Sequence, residues 1–136
     1  MNRRIRRDLT FLHIAEVLSD LSTCDRKQVG AVITRDGRCV SWGYNGTAPG
    51  LPHCHHTTDE PCEDAVHAEL NAVAFAARQG ISTDNGTLYV TVSPCVKCSH
   101  ALIAAGIRRV VYNEAYRDPR GVEVLKEAGV EVQITP

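Results

Sequence analysis

The chain has no apolar stretch long enough to cross a bilayer, and no hydrophobic signal region follows its first arginines. The expectation is therefore a cytoplasmic protein. It has no internal repeats, linkers or low-complexity segments, which excludes a solenoid or a tethered array. It also lacks the excess positive charge of a general nucleic-acid coat, because its formal net charge is −1. What is present fits an ordinary globular chain: 136 residues, 43% hydrophobic and 23% charged. That length makes 1–136 one domain, able to bury about two thirds of its unfolded surface. Six cysteines without a signal peptide point to metal and reduced thiols rather than disulfides. The basic run Arg3, Arg4, Arg6 and Arg7 reads as a solvated helix start in preference to a phosphate-binding arm.

The segment His67-Ala68-Glu69, followed by Pro94-Cys95-Val96-Lys97-Cys98, carries the chemistry. His67, Cys95 and Cys98 supply one imidazole and two thiolates, donors that zinc prefers. Three donors leave a tetrahedral ion one open position, the mark of a catalytic rather than a structural site. Glu69 stands two residues from the histidine, placed to carry protons instead of closing the shell. A Cys-x-x-Cys alone also occurs in structural zinc sites and redox dithiols. Neither of those needs a preceding His-x-Glu, and the combined order is the signature of zinc-dependent nucleobase deaminases. Both motif halves fall at expected helix starts, whose partial positive charge favours thiolates.

Hydrophobic periodicity predicts a helix over 5–21, and strands over 29–34 and 38–42 joined by an Asp36-Gly37 hairpin. Cys39 is expected to be a small buried hydrophobe within the second strand. An irregular segment follows to Asp64, then an Ala-rich helix over 66–79 closed by Gly80. A strand over 87–92 leads into a helix with Ser93 as N-cap and Pro94 at its first position, ending at Gly106. A strand over 109–112, a helix over 119–128 and a strand over 131–134 complete the chain. Strand–helix–strand order implies a parallel pair. The fold class is α/β: a three-layer α/β/α sandwich around a five-stranded mixed sheet. His13 and His100 are expected to be ordinary surface or structural histidines.

Gly43-Tyr44-Asn45-Gly46, His67-Ala68-Glu69-Leu70-Asn71-Ala72 and Ser93-Pro94-Cys95-Val96-Lys97-Cys98 together resemble the deoxycytidylate deaminases of the cytidine deaminase superfamily. The resemblance extends over nearly the whole chain, including Val29-Gly30-Ala31-Val32 and Ala104-Ala105-Gly106-Ile107, and makes the expected fold cytidine deaminase-like. It implies conversion of dCMP to dUMP, with dCTP as a further possible substrate, supplying thymidylate synthesis. It implies Asn45 at the sugar, the Ala68 amide at the base carbonyl, and the Ser93 backbone at the amino group. It implies a homohexamer activated by dCTP and inhibited by dTTP, the effector binding with magnesium near Tyr44 and Gly46 at subunit interfaces. Arg78, near the end of the Ala-rich helix, is the residue expected to couple effector binding between subunits.

Some members of that family hold a structural zinc at positions matching Cys24 and Cys54. With Cys62 and one histidine among His53, His55 and His56, these would close a tetrahedral shell; His56 is the expected fourth ligand. Two other classes remain open. A deaminase of tRNA adenosine or of free bases would share the zinc motif. A zinc-bound interaction module would need neither Glu69 nor an open coordination position.

Overall fold

The computed structural model describes residues 1–55 and 64–135. Its elements in chain order are α1 (Arg3–Ser19), β1 (Gly30–Arg35), β2 (Arg38–Tyr44), β3 (Gly46–Thr47), β4 (Ala65–Val66), α2 (Ala68–Arg78), β5 (Thr87–Val92), α3 (Val96–Ala104), β6 (Arg109–Glu114), α4 (Arg120–Glu127) and β7 (Glu131–Ile134). Five strands form one mixed sheet in the order β2-β1-β5-β6-β7. β1 runs antiparallel to β2 and β5, while β5, β6 and β7 are parallel. The expected five-stranded mixed sheet is borne out.

Patterning explains the layers. β1 is buried along almost its whole length, as a strand covered on both faces must be. Its Ala31 and Ile33 join Leu88, Val90, Val110 and Tyr112 against Ala68 and Ala72 of α2, Leu102 of α3 and Leu125 of α4. On the other face Val32, Tyr89 and Val111 meet Leu12 and Ala15 of α1. Three helices thus cover one face and α1 the other. Among the described residues no helix is long and apolar enough to cross a membrane.

The hairpin between β1 and β2 has positive φ at both Asp36 (53°) and Gly37 (76°), as a two-residue type I′ turn requires. Two local expectations are corrected. The ladder shifts register between Ile33 and Thr34, so Thr34 faces Cys39 and Val40 is the extra residue. Val40 therefore packs on the core and Cys39 is exposed. A short ladder, Gly46 with Val66 and Thr47 with Ala65, leads the chain from the segment after β2 into α2, so Val66, expected at the start of the helix, is a strand residue and α2 begins at Ala68.

One buried polar cluster fastens α1 to the sheet. Arg109 forks onto Asp8 with Nη1–Oδ1 at 2.7 Å and Nη2–Oδ2 at 2.6 Å, and the Tyr89 hydroxyl donates to Asp8 at 2.9 Å. Burial opposes ionisation of Asp8, but the hydrogen bonds from Arg109 and Tyr89 outweigh it and hold the carboxyl below its ordinary value. Burial, and then the same contact with Asp8, push Tyr89 up to about 12. Removing one partner of a buried pair leaves the other uncompensated, so Asp8→Ala is expected to lower the unfolding free energy by about 3 kcal/mol. Because the folded pKa is depressed, this contribution is present above the unfolded value and is lost as pH falls through the folded one. Urea titrations at pH 7 should show the full difference between variant and parent. Titrations at progressively lower pH should show it shrinking; a constant difference would remove the ionised pair from the account.

Candidate metal centre and pocket

The first turns of α2 and α3 meet beside the C-terminal end of β5. His67 is the N-cap of α2, with extended backbone (φ −65°, ψ 151°), and Cys95 is the N-cap of α3 (φ −73°, ψ 172°). Cys98 lies in the first turn of α3, buried. This corrects the expected start of α3. The Cys95 carbonyl accepts from Ser99 N at 2.9 Å and opens the helix, so Ser93 is not its N-cap. The Ser93 hydroxyl instead accepts from Tyr116 N at 2.7 Å and ties the segment after β6 to the end of β5.

α4 reinforces this arrangement. A Cβ on Gly121 would stand 2.1 Å from the Pro94 carbonyl oxygen, so only glycine lets α4 lie against the Pro94-Cys95 segment. Two asparagines brace the opposite wall. Asn71 donates to the Tyr44 carbonyl at 2.7 Å, linking α2 to the Gly43-Tyr44-Asn45-Gly46 segment. Asn45, almost fully buried, accepts from Val29 N at 2.8 Å and donates to the Lys27 carbonyl at 2.6 Å. Its side-chain amide thus clamps the 27–29 segment, a role that sequence reasoning missed.

His67 Nδ1 stands 3.2 Å from Cys98 Sγ and 3.7 Å from Cys95 Sγ. All three donor atoms lie within 4.8 Å of one another, the only such trio of metal-ligating residues among the described residues. Donors bound to one tetrahedral zinc at about 2.1 and 2.3 Å would stand roughly 3.6 Å apart. The observed spacing and the soft-to-borderline donor set therefore fit a zinc ion. Without an ion the two thiols share one proton unequally. The hydrogen bond from Cys98, with help from His67, lowers Cys95 to about 4, while the same contact raises Cys98. His67 is raised, chiefly by its contact with Cys95.

Glu69, in the first turn of α2, is buried beside the trio, and burial pushes its carboxyl up to about 7. It is not one of the three clustered donors. His67, Cys95 and Glu69 line an open cleft, while the third donor, Cys98, is buried and does not line it. Asn45, Ala68 and Ser93, the expected substrate contacts, all line it, so the fold brings the separate motifs to one place. Arg26, Lys27 and Tyr116 also line it and were not singled out from sequence. The adjacent basic pair Arg26-Lys27, two residues after Cys24, was the available signal. Lys27 Nζ pairs with Glu114 Oε2 at 3.0 Å.

Tyr44, Gly46 and Arg78, expected at an effector site, line a separate concavity with Trp42, Phe75 and Thr23. Trp42 stacks with Phe75, ring centroids 6.4 Å apart, and both rings are substantially exposed. Cys24 and Cys54 are buried, as structural ligands would be. Cys62 and His56, the other two members expected of that shell, lie outside the described residues. His13 and His100 are exposed, and His13 lies 3.8 Å from Glu16.

Comparison with known proteins gives a consistent result. Residues 5–114 match the family model described as the cytidine and deoxycytidylate deaminase zinc-binding region. ComE operon protein 2 of Bacillus subtilis is 38% identical over 135 residues, covering 96% of this chain and 71% of that protein. The deoxycytidylate deaminase of Enterobacteria phage T2 is 33% identical, covering 93% of this chain and 91% of the phage protein. The crystal structure of the dCMP deaminase from cyanophage S-TIM5 in complex with dCMP and dUMP superposes with a TM-score of 0.90. It is 34% identical and covers 99% of both chains.

Proposed function

The chain belongs to the cytidine and deoxycytidylate deaminase family, a family of zinc-binding enzymes, and we propose that it hydrolyses dCMP to dUMP and ammonia. The observation that carries this reading is one cleft lined by His67 and Cys95 of the metal-donor trio, by Glu69 and by the cations Arg26 and Lys27. A base beside Glu69 and a 5′-phosphate near the two cations would account for both parts.

His67, Cys95 and Cys98 would hold a zinc ion, and an ion bound there would make a water nucleophilic at neutral pH. The remaining work falls to the chain. Glu69 takes one proton from the water as it adds to the amine-bearing ring carbon and delivers it to the ring nitrogen. It then takes the second from the hydroxyl now on that carbon and delivers it to the amino group, which leaves as ammonia while the carbonyl forms. Its burial favours this exchange by bringing its proton affinity close to neutral pH. The Ala68 N–H, in the first turn of α2, has no intrahelical acceptor and serves the base carbonyl. The Ser93 carbonyl orients the amino group. Asn45 has a second amide hydrogen beyond the one given to Lys27, and offers it to the sugar.

The finer expectations belong to the same reading. The cavity bearing Tyr44, Gly46 and Arg78 takes a deoxynucleoside triphosphate with magnesium, dCTP activating and dTTP inhibiting. The exposed Trp42–Phe75 stack beside it supports a subunit contact there, within a homohexamer. Cys24 and Cys54 belong to a second, structural zinc completed by Cys62 and His56. The low net charge and the cations of the cleft favour a mononucleotide over a tRNA substrate.

Ammonia release from dCMP, dCTP, deoxycytidine and a tRNA anticodon stem-loop, each with and without added dTTP and dCTP, tests the assignment. dCMP should be the preferred substrate. Arg26→Ala/Lys27→Ala should raise KM for dCMP at least tenfold, since each charge-assisted contact is worth about 1.5–3 kcal/mol. Deoxycytidine, lacking the phosphate, should be turned over equally by parent and variant. Equal turnover of dCMP and deoxycytidine by the parent would remove the phosphate from the reading.

A further inference from the structure

The arginine run at the start of α1 does not behave as a uniform solvated face. Arg3, Arg4 and Arg7 turn toward a second cleft, lined also by Arg109, Asn85 and the hairpin residue Asp36, whereas Arg6 does not line it. This cleft lies around Thr87, at the opposite end of β5 from Val92 and Ser93 of the metal-centre cleft. Five residue steps separate those ends, about 17 Å at the rise of an extended strand. It shares no lining residue with either the metal-centre cleft or the cavity around Tyr44 and Arg78.

The charges within it are unevenly matched. Arg109 is taken up by Asp8 and Glu131, and Arg4 pairs with Glu131. Arg3 and Arg7 have no ion-pair partner among the described residues. Asp36 is the remaining carboxylate in the lining and lies beyond ion-pair distance of both. The Arg7 guanidinium lies over the hairpin turn, its carbon 3.2 Å from where a Cβ on Gly37 would stand. Thus two uncompensated guanidinium forks line one concave surface, one of them over the hairpin glycine. Guanidinium groups match the oxygen geometry of phosphate and bind it bidentately.

We propose that the Arg3–Arg7 cleft is a second anion site, which takes a small molecule carrying two or more linked phosphates. Linked phosphates suit it better than one phosphate, because the two uncompensated guanidinium groups stand on different residues and a chain of phosphates can offer oxygens to both. Binding there ties the first turns of α1 to the β1–β2 hairpin.

Titration calorimetry with inorganic tripolyphosphate, at low ionic strength on the zinc-loaded protein, tests this. The parent should bind, with a melting temperature that rises as tripolyphosphate is added. Arg3→Ala/Arg7→Ala should weaken binding at least tenfold while leaving dCMP turnover unchanged. Arg6→Ala/Lys126→Ala removes the same charge from outside the cleft and should leave binding within a factor of two or so. Arg26→Ala/Lys27→Ala should also retain it. Absence of binding to the parent overturns the proposal, as does equal weakening by the two charge-matched double variants. Loss confined to Arg26→Ala/Lys27→Ala would also overturn it and assign the phosphate to the metal-centre cleft. The proposed dCMP reaction is read separately, by turnover in the same variants.

Discussion

Glu69→Gln should retain its zinc and lose at least about 1,000-fold in kcat for dCMP. The two side chains have the same length, so the buried position in the first turn of α2 remains filled. What disappears is a group able to change protonation state. An amide cannot accept the proton of an attacking water or return it to nitrogen. One general acid–base role contributes about 10²–10⁴-fold, and this carboxylate performs both directions of transfer. KM should change by much less than kcat, because the binding contacts proposed for the nucleotide lie on Asn45, Ala68, Ser93, Arg26 and Lys27. Metal analysis and steady-state kinetics on the same preparation separate the effects. Turnover within tenfold of the parent would remove Glu69 from the proton path. Loss of zinc alongside activity would make it a ligand, against the geometry of the donor trio.

The Glu69 position was readable in the sequence because two independent constraints met in one short motif. His67 and Glu69 fall on either side of a helix start, and the Cys95/Cys98 pair repeats that placement on α3. Helical periodicity and glycine stops located α2, α3 and α4, and alternating or continuous apolar runs located every strand of the main sheet. What the sequence concealed depended on contacts between distant segments. The β3–β4 ladder is two residues per strand, too short to carry a period. Ser93-Pro94 has the residue types of an N-cap and first helical position. The demand of Tyr116 N for an acceptor nevertheless moves Ser93 out of that role. The bulge opposite Ile33 and Thr34 turned Cys39 outward without any glycine or proline to announce it. Lys27 and Arg26 became visible only when the Asn45 clamp placed their segment in the lining of the cleft. The arginine run near the N-terminus was legible as charge but not as a cleft, since its convergence requires the hairpin and Arg109 from elsewhere in the chain.

Cys98→Ala should abolish binding at the metal centre and, with it, deamination. Cys98 is the more buried of the two thiols, and its sulfur lies nearest His67 Nδ1. Four-donor zinc sites bind with about 10–16 kcal/mol, or roughly 3 kcal/mol per donor, so loss of one donor lowers affinity more than about 100-fold. The imidazole and the remaining Cys95 thiolate cannot hold the ion against a mild chelator. The fold should survive, because the β1, β5 and β6 core and the α2–α3–α4 layer do not depend on that sulfur. Circular dichroism should therefore be near that of the parent while catalysis falls to background. The same variant counts metal sites. If Cys24, Cys54, Cys62 and His56 hold a structural ion, the parent carries about two zinc atoms per chain and Cys98→Ala about one. Cys54→Ala should then show the reverse pattern, with one zinc retained, activity present and a lower melting temperature. One zinc in the parent and none in Cys98→Ala would leave the metal centre intact as a reading and eliminate the second ion. Full zinc occupancy in Cys98→Ala after dialysis against chelator would overturn the donor trio itself.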